Sequence, residues 1–241
     1  MLPKIVLPST VVTLPVSGDA VRVYAYDLNQ EKNLLIAKDA GSESDVMDAI
    51  LQLLKHCVPE KNVESYCVPD IITMFINILD ISKGSTTNLV YSCQSEVDGK
   101  VCGAEIPVTV NIKNIKMSGT VSSGMISITD SISVHMKYPS MKTIKELEKY
   151  DSDDILYTLK MYSLCIDEVY NGEDVTTEFS EKEIFDWMMT LPRKALTEFS
   201  KFFENMPTLS MKVDIICPKC GNKETIEYKG LDSFFISGTQ E

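Results

Sequence analysis

The pentapeptide CPKCG at residues 217–221 constrains this chain more than any other stretch. Two cysteines separated by two residues, with proline after the first and glycine after the second, form half of a tetrahedral metal site. A partner half lies far upstream, where Cys93 and Cys102 bracket QSEVDGKV and Gly103 follows Cys102 as Gly221 follows Cys220. Each Cys-Gly pair suits a tight knuckle, with backbone N–H groups aimed at thiolate sulfur and glycine accepting a positive φ. The eight residues between Cys93 and Cys102 exceed the compact spacing of about two to four. A turn centred on Asp98-Gly99 accommodates the excess. The bland alternative is four unligated core thiols. Paired knuckles favour one structural zinc held by Cys93, Cys102, Cys217 and Cys220.

Both knuckles are flanked by strand-like alternation. Ile106, Val108, Val110 and Ile112 follow the first at period two; Met211, Val213 and Ile215 precede the second, with Ile226 and Tyr228 after it. All-cysteine ligation leaves no open position for substrate water, so the expected role of the metal is to staple rather than to catalyse. More than a hundred residues separate the knuckles, which makes the β module discontinuous, with an insertion whose ends the metal holds together. A cross-link closing so long a loop has high entropic leverage on a chain-entropy account.

The 241 residues suffice for one large domain or two modest ones with a real core. Hydrophobic content of 44% and charged content of 24% are those of an ordinary globular chain. The formal net charge of −12 repels phosphate and disfavours a nucleic-acid partner despite the zinc-ribbon look. No apolar run is long enough for a membrane span, and MLPKIVLPST lacks the apolar core of a signal peptide. Seven cysteines, an odd number, fit a reducing compartment better than a disulfide framework, and the expected location is the cytoplasm.

Residues 9–27 read as a hairpin turning at Ser17-Gly18-Asp19. A short helix over NQEKNLLIAKD ends near Gly41. Ser42 then opens a capping-box-like start to a helix carrying Val46, Ile50, Leu53, Leu54 and Cys57. Pro69 suits the first turn of a helix bearing Ile72, Phe75, Ile76 and Leu79. Further on, a polar β region runs to Pro139, Thr143-x-x-Glu146 starts a helix, and DSDD at 151–154 leads into another over ILYTLKMYSLCIDEVY. An acidic loop at 171–178 precedes the capping box Ser180-x-x-Glu183, and Pro192 opens a helix with Leu196, Phe199, Phe202 and Phe203. The fold class is α+β. Its expected parts are an N-terminal hairpin and helical region (1–85), the first knuckle and its β region (86–140), a helical insertion (141–208) and the second knuckle completing a zinc-ribbon-like module (209–241).

Other chemistry is sparse. His56 lies near a helix end and His135 in a strand, neither beside a nucleophile or metal ligand in sequence, so both read as structural or surface residues. Cys57, Cys67 and Cys165 fall on or beside apolar helical faces, the setting of inert buried thiols. The carboxylates at 151–154 and 173–183 lack the ordered spacing and mid-loop glycine of a calcium loop and read as solvated helix starts. No phosphate-binding glycine loop or nucleophile elbow is present. No enzymatic activity is expected. In GLDSFFISGTQE, the adjacent Phe234 and Phe235 must be buried at home or on a partner, which marks them as candidate partner-binding residues.

The order of these pieces resembles a known family. TLPVSGDAVRVYAYDLNQEKNLLIA at the start, FSEKEIFDWMMTLPRKALTEFSKFFENMP and the closing CPKCGNKETIEYKGLDSFF are similar to the baseplate hub subunits and hub-assembly proteins of T-even-like contractile-tailed bacteriophages. The resemblance covers most of the chain and is most specific at the C-terminal end; the long first knuckle departs from the compact form. It implies a virion protein or assembly chaperone made in the infected bacterial cytoplasm, with other hub and tail proteins as partners. A zinc-ribbon factor acting on transcription or translation is the alternative, opposed by the acidic balance. A metal hydrolase requires an open coordination position and a general base.

Overall fold

The structure, a computed structural model, describes residues 5–40, 43–97, 99–151 and 154–229. The first part of the chain forms β1 (Ser9–Thr13), β2 (Ala20–Tyr24), α1 (Leu28–Ala40), α2 (Glu43–Cys57) and α3 (Val68–Lys83). Seven short strands or strand pairs follow: β3 (Thr86–Ser92), β4 (Glu96–Val97), β5 (Lys100–Val101), β6 (Glu105–Asn111), β7 (Lys116–Ser118), β8 (Met125–Ser127) and β9 (Ile132–Met136). Then come α4 (Met141–Leu147), α5 (Ile155–Leu164), β10 (Ile166–Asn171), β11 (Asp174–Thr176), α6 (Glu181–Met188), α7 (Arg193–Glu204), β12 (Thr208–Ile216) and β13 (Lys223–Lys229). Helices and strands are thus mixed, and every described strand pairing is antiparallel. No helix among the described residues is long and apolar enough to cross a membrane.

The chain divides into two units. One comprises residues up to 63, 69–118 and from 208 on; the other comprises 64–68 and 119–207. In the first unit, alternation in β2 buries Val21 and Val23, and the α2 stripe buries Ile50, Leu53, Leu54 and Cys57. Pro69 does lie in the first turn of α3, where its missing N–H costs nothing. The buried face of that helix is Ile71, Ile72, Met74, Phe75 and Ile78, whereas Ile76 and Leu79 are only half-buried, so the core stripe is rotated from the expected one.

Asp70, 1% exposed, ties the hairpin to α3. Its carboxylate accepts the N–H groups of Val16 and Ser17 at 2.9 and 3.0 Å, satisfying two turn donors that have no strand partner. Asp70→Ala is expected to lower stability by about 2–3 kcal/mol, the cost of stranding donors that met a charged acceptor. Urea denaturation measures it. A loss under ~0.5 kcal/mol means that the carboxylate does not hold the turn.

Two antiparallel hairpins complete the first unit. β3 pairs with β6, and β12 with β13. β12 also pairs with β7, Thr208 lying opposite Ser118, so the chain leaves this unit and returns to it through neighbouring strands. Sheet hydrogen bonds therefore join the two ends of the inserted segment, a closure that the sequence assigned to metal alone.

The second unit is built on a sheet of order β11-β10-β9-β8, with α4 to α7. Its aromatic core stacks Tyr138 on Phe202 at 4.7 Å and Tyr162 on Phe203 at 5.2 Å, with Phe199 edge-on to Tyr162 at 5.8 Å. The capping box at Ser180 and Glu183 opens α6 as expected, and Pro192 immediately precedes α7. Three local expectations are corrected. The segment ILYTLKMYSLCIDEVY is not one helix: α5 ends at Leu164, and from Ile166 the chain pairs with β9, matching Ile166 to Met136 and Val169 to Val134. Tertiary strand pairing here outweighs helical periodicity. The acidic loop at 171–178 contains β11, reached through a turn at Gly172 with φ 63°. The cap of α4 is Ser140, whose hydroxyl accepts the N–H of Thr143, not Thr143 itself. The Ser42 cap and the Gly41 stop lie outside the described residues.

Candidate metal centre

Each cysteine knuckle caps one hairpin of the first unit. The β3–β6 register ends at Ser92 opposite Glu105, and residues 93–104 form the connection; the β12–β13 register ends at Ile216 opposite Lys223, and residues 217–222 form the other. The two connections share a hydrogen-bond pattern. The Cys93 N–H donates to the Ala104 carbonyl at 2.9 Å, and Gly103 N–H to the Cys93 carbonyl at 3.0 Å. Correspondingly, the Cys217 N–H donates to the Asn222 carbonyl at 2.8 Å, and Gly221 N–H to the Cys217 carbonyl at 2.9 Å. Gly103 and Gly221 adopt φ of 60° and 72°, the left-handed conformation that the sequence assigned to them.

The long spacing of the first knuckle is explained without distorting it. The extra residues leave as the β4–β5 hairpin, Glu96 opposite Val101 and Val97 opposite Lys100, closed at its base by Cys102 N–H donating to the Ser95 carbonyl at 2.7 Å. Gly99, with φ 74°, supplies the expected reversal; Asp98 lies outside the described residues.

The fold brings all four predicted cysteines together. Their sulfurs lie within 4.8 Å of one another, with Cys93 to Cys220 at 3.7 Å and Cys102 to Cys217 at 3.8 Å. Four sulfurs held about 2.3 Å from one ion at tetrahedral angles stand about 3.8 Å apart, so these spacings fit a thiolate shell. They are far longer than the roughly 2.05 Å of a disulfide. Among the described residues this is the group of His, Cys, Asp and Glu side chains placed to hold an ion.

The backbone and the neighbouring sulfurs shift two of these thiols in opposite directions. The N–H of Cys220, then that of Lys219 and the thiols of Cys220 and Cys93, hold the Cys217 thiol down at about 6. At Cys220 the Asn222 N–H pulls the same way, but burial and the thiols of Cys217, Cys93 and Cys102 push it up to about 11. Cys217 is thus held toward the thiolate and Cys220 toward the thiol.

The sulfurs sit at one end of a small core in which Ile106, Val108 and Val110 of one hairpin meet Met211, Ile215 and Tyr228 of the other. Two polar contacts across the hairpins were not legible in sequence. Lys219 Nζ donates to the Cys102 carbonyl at 3.0 Å, and the Tyr91 hydroxyl to Glu224 at 3.2 Å. Nothing local marks either pair, since the partners are 117 and 133 residues apart.

The remaining candidates stay outside this cluster. Burial pushes the thiols of Cys57 and Cys165 up to about 12, as expected of inert core cysteines, and Cys67 is buried too. His56 is exposed near the end of α2, and His135 Nδ1 stands 3.8 Å from Asp167 in the second unit. The acidic stretches supply helix starts: Asp154 accepts the Leu156 N–H at the head of α5, and Glu183 completes the α6 capping box. Phe234 and Phe235 lie outside the described residues.

These features describe a mixed helix-and-strand protein whose two hairpins are drawn together at a four-cysteine cluster. The chain belongs to the T4 bacteriophage base plate protein family, which matches it over residues 7–236. It is 22% identical over 223 residues to the baseplate hub assembly protein gp26 of Enterobacteria phage T4, covering 91% of this chain and 94% of that protein. No solved structure matches it. The family is the one that the closing CPKCG…GLDSFF segment and the phenylalanine-rich helix resemble.

Proposed function

We propose that this chain is a non-enzymatic component or assembly factor of a bacteriophage tail baseplate hub, binding other hub and tail proteins, with one structural zinc at Cys93, Cys102, Cys217 and Cys220. The hub role is carried by the family match along nearly the whole chain and by the relative named for hub assembly. Zinc is supported by the donor set: four thiolates at tetrahedral spacing suit a soft, borderline divalent ion, and saturation by protein ligands suits a staple. Its place is the tail baseplate of the virion, the infected bacterial cytoplasm during assembly, or both in turn. Nucleic acid is not among the proposed partners, since a net charge of −12 opposes phosphate binding; the same charge counts against the transcription or translation factor.

Mass spectrometry of purified virions and of tail-assembly intermediates tests the role. Peptides of this chain in virions identify a component; peptides confined to intermediates identify a chaperone; absence from both, with no co-purifying tail protein, overturns the proposal. Phe234 and Phe235 are proposed as partner anchors. Alanine at one of them is expected to leave the protein folded while abolishing co-purification of hub proteins. If both variants lose stability alike and neither weakens association, the two rings serve only the chain's own core.

A further inference from the structure

Of the four clustered cysteines, Cys93, Cys102 and Cys217 are buried, and Cys220 alone is partly open. The sulfurs at 3.7 and 3.8 Å pair across the knuckles, Cys93 with Cys220 and Cys102 with Cys217. Each pair therefore takes one sulfur from the β3–β6 hairpin and one from the β12–β13 hairpin. A bond within either pair ties the same two hairpins that a metal ion ties.

We infer that the cluster is a redox-convertible staple: a peroxide oxidant attacks at Cys220, and the first product is a Cys93–Cys220 disulfide that replaces the metal as the link between the hairpins. This rests on the metal reading above. Peroxide takes two electrons from the Cys220 sulfur; the O–O bond breaks, an S–O bond forms, and the departing oxygen leaves as water after taking a proton. The Cys93 thiolate then attacks that sulfur, the S–O bond breaks, and the hydroxyl takes a proton and leaves as a second water. Two thiolates, one peroxide and two protons thus give one disulfide and two waters. Only Cys102 and Cys217 then remain to hold an ion, too few for a closed thiolate shell. Closing the Cys93–Cys220 pair needs the sulfurs to move from 3.7 Å to about 2.05 Å.

The local alternative is a bond inside the Cys217-x-x-Cys220 knuckle, whose sulfurs also lie within 4.8 Å of each other. That bond also expels metal but leaves the hairpins untied. A cross-hairpin disulfide keeps the join when a particle assembled in a reducing cytoplasm passes to an oxidising exterior, where small secreted folds rely on disulfides.

The test treats the purified, metal-loaded protein with graded hydrogen peroxide, follows zinc release with a chromogenic chelator, and maps disulfides by peptide mass spectrometry without reduction. The expected result is zinc release in step with a peptide linking Cys93 to Cys220, reversed by dithiothreitol plus zinc. A first linkage of Cys217 to Cys220 or of Cys102 to Cys217 overturns the inference, as does sulfinic acid at Cys220 without any disulfide. If the protein as purified holds no zinc, the metal reading fails by itself. The same mapping on the fully reduced, metal-free protein then still decides which cysteines pair.

Discussion

Cys93→Ser is expected to abolish stoichiometric zinc binding and to destabilise the first unit by several kcal/mol. Small zinc peptides gain roughly 10–16 kcal/mol from a structural ion. This unit loses less, because Ile106, Val108, Val110, Met211, Ile215 and Tyr228 form a core around the site, and β7 holds β12 without metal. The variant should therefore remain partly folded, with amide exchange accelerated in β3, β6, β12 and β13. Chelator treatment of the native chain should reproduce that pattern. Metal analysis of native protein giving far less than one zinc per chain, together with four freely titrating thiols, overturns both the staple and this forecast.

Phe199→Ala is expected to cost about 3–5 kcal/mol, the range for truncating a fully buried aromatic ring. Phe199 is fully buried, and its ring meets Tyr162 edge-on, so the change removes apolar burial and an aromatic pair together. The damage should appear in the second unit, as lost protection across α5 and α7, with zinc content unchanged. Chemical denaturation with exchange readout measures both. A loss below ~1 kcal/mol means that the stack of Tyr138, Tyr162, Phe202 and Phe203 closes over the gap. Cys93→Ser and Phe199→Ala thus separate the metal from the aromatic core as sources of stability.

The sequence was most informative where one residue type answers to one local requirement. Gly103 and Gly221 sit at positive φ because only glycine takes that conformation without strain. The Ser180–Glu183 capping box and the position of Pro69 were legible for the same reason: caps and prolines act within one turn of chain. The four cysteines were legible as a set because both knuckles end in Cys-Gly, and the fold places their sulfurs together.

Local reading gave way where distant pairing sets the outcome. The helix expected to run from Ile155 stops at Leu164, since Ile166 and Val169 find partners in β9. The turn at Gly172 was hidden among acidic residues, although Asn171-Gly172 is a recognised hairpin signal. The buried stripe of α3 rotated onto Ile71, Met74 and Ile78, because a helix with apolar residues on several sides takes its inward face from what it packs against.

By itself, then, the sequence determined which cysteines cluster, the turn glycines, the starts of α3 and α6 and the family, all of which depend on residue identity at close spacing. Tertiary structure alone decided that β7 and β12 join the ends of the insertion and that Lys219 reaches the Cys102 carbonyl. Those contacts join residues 90 and 117 positions apart, and strand register is chosen by the free energy of the whole packed sheet rather than by any one segment.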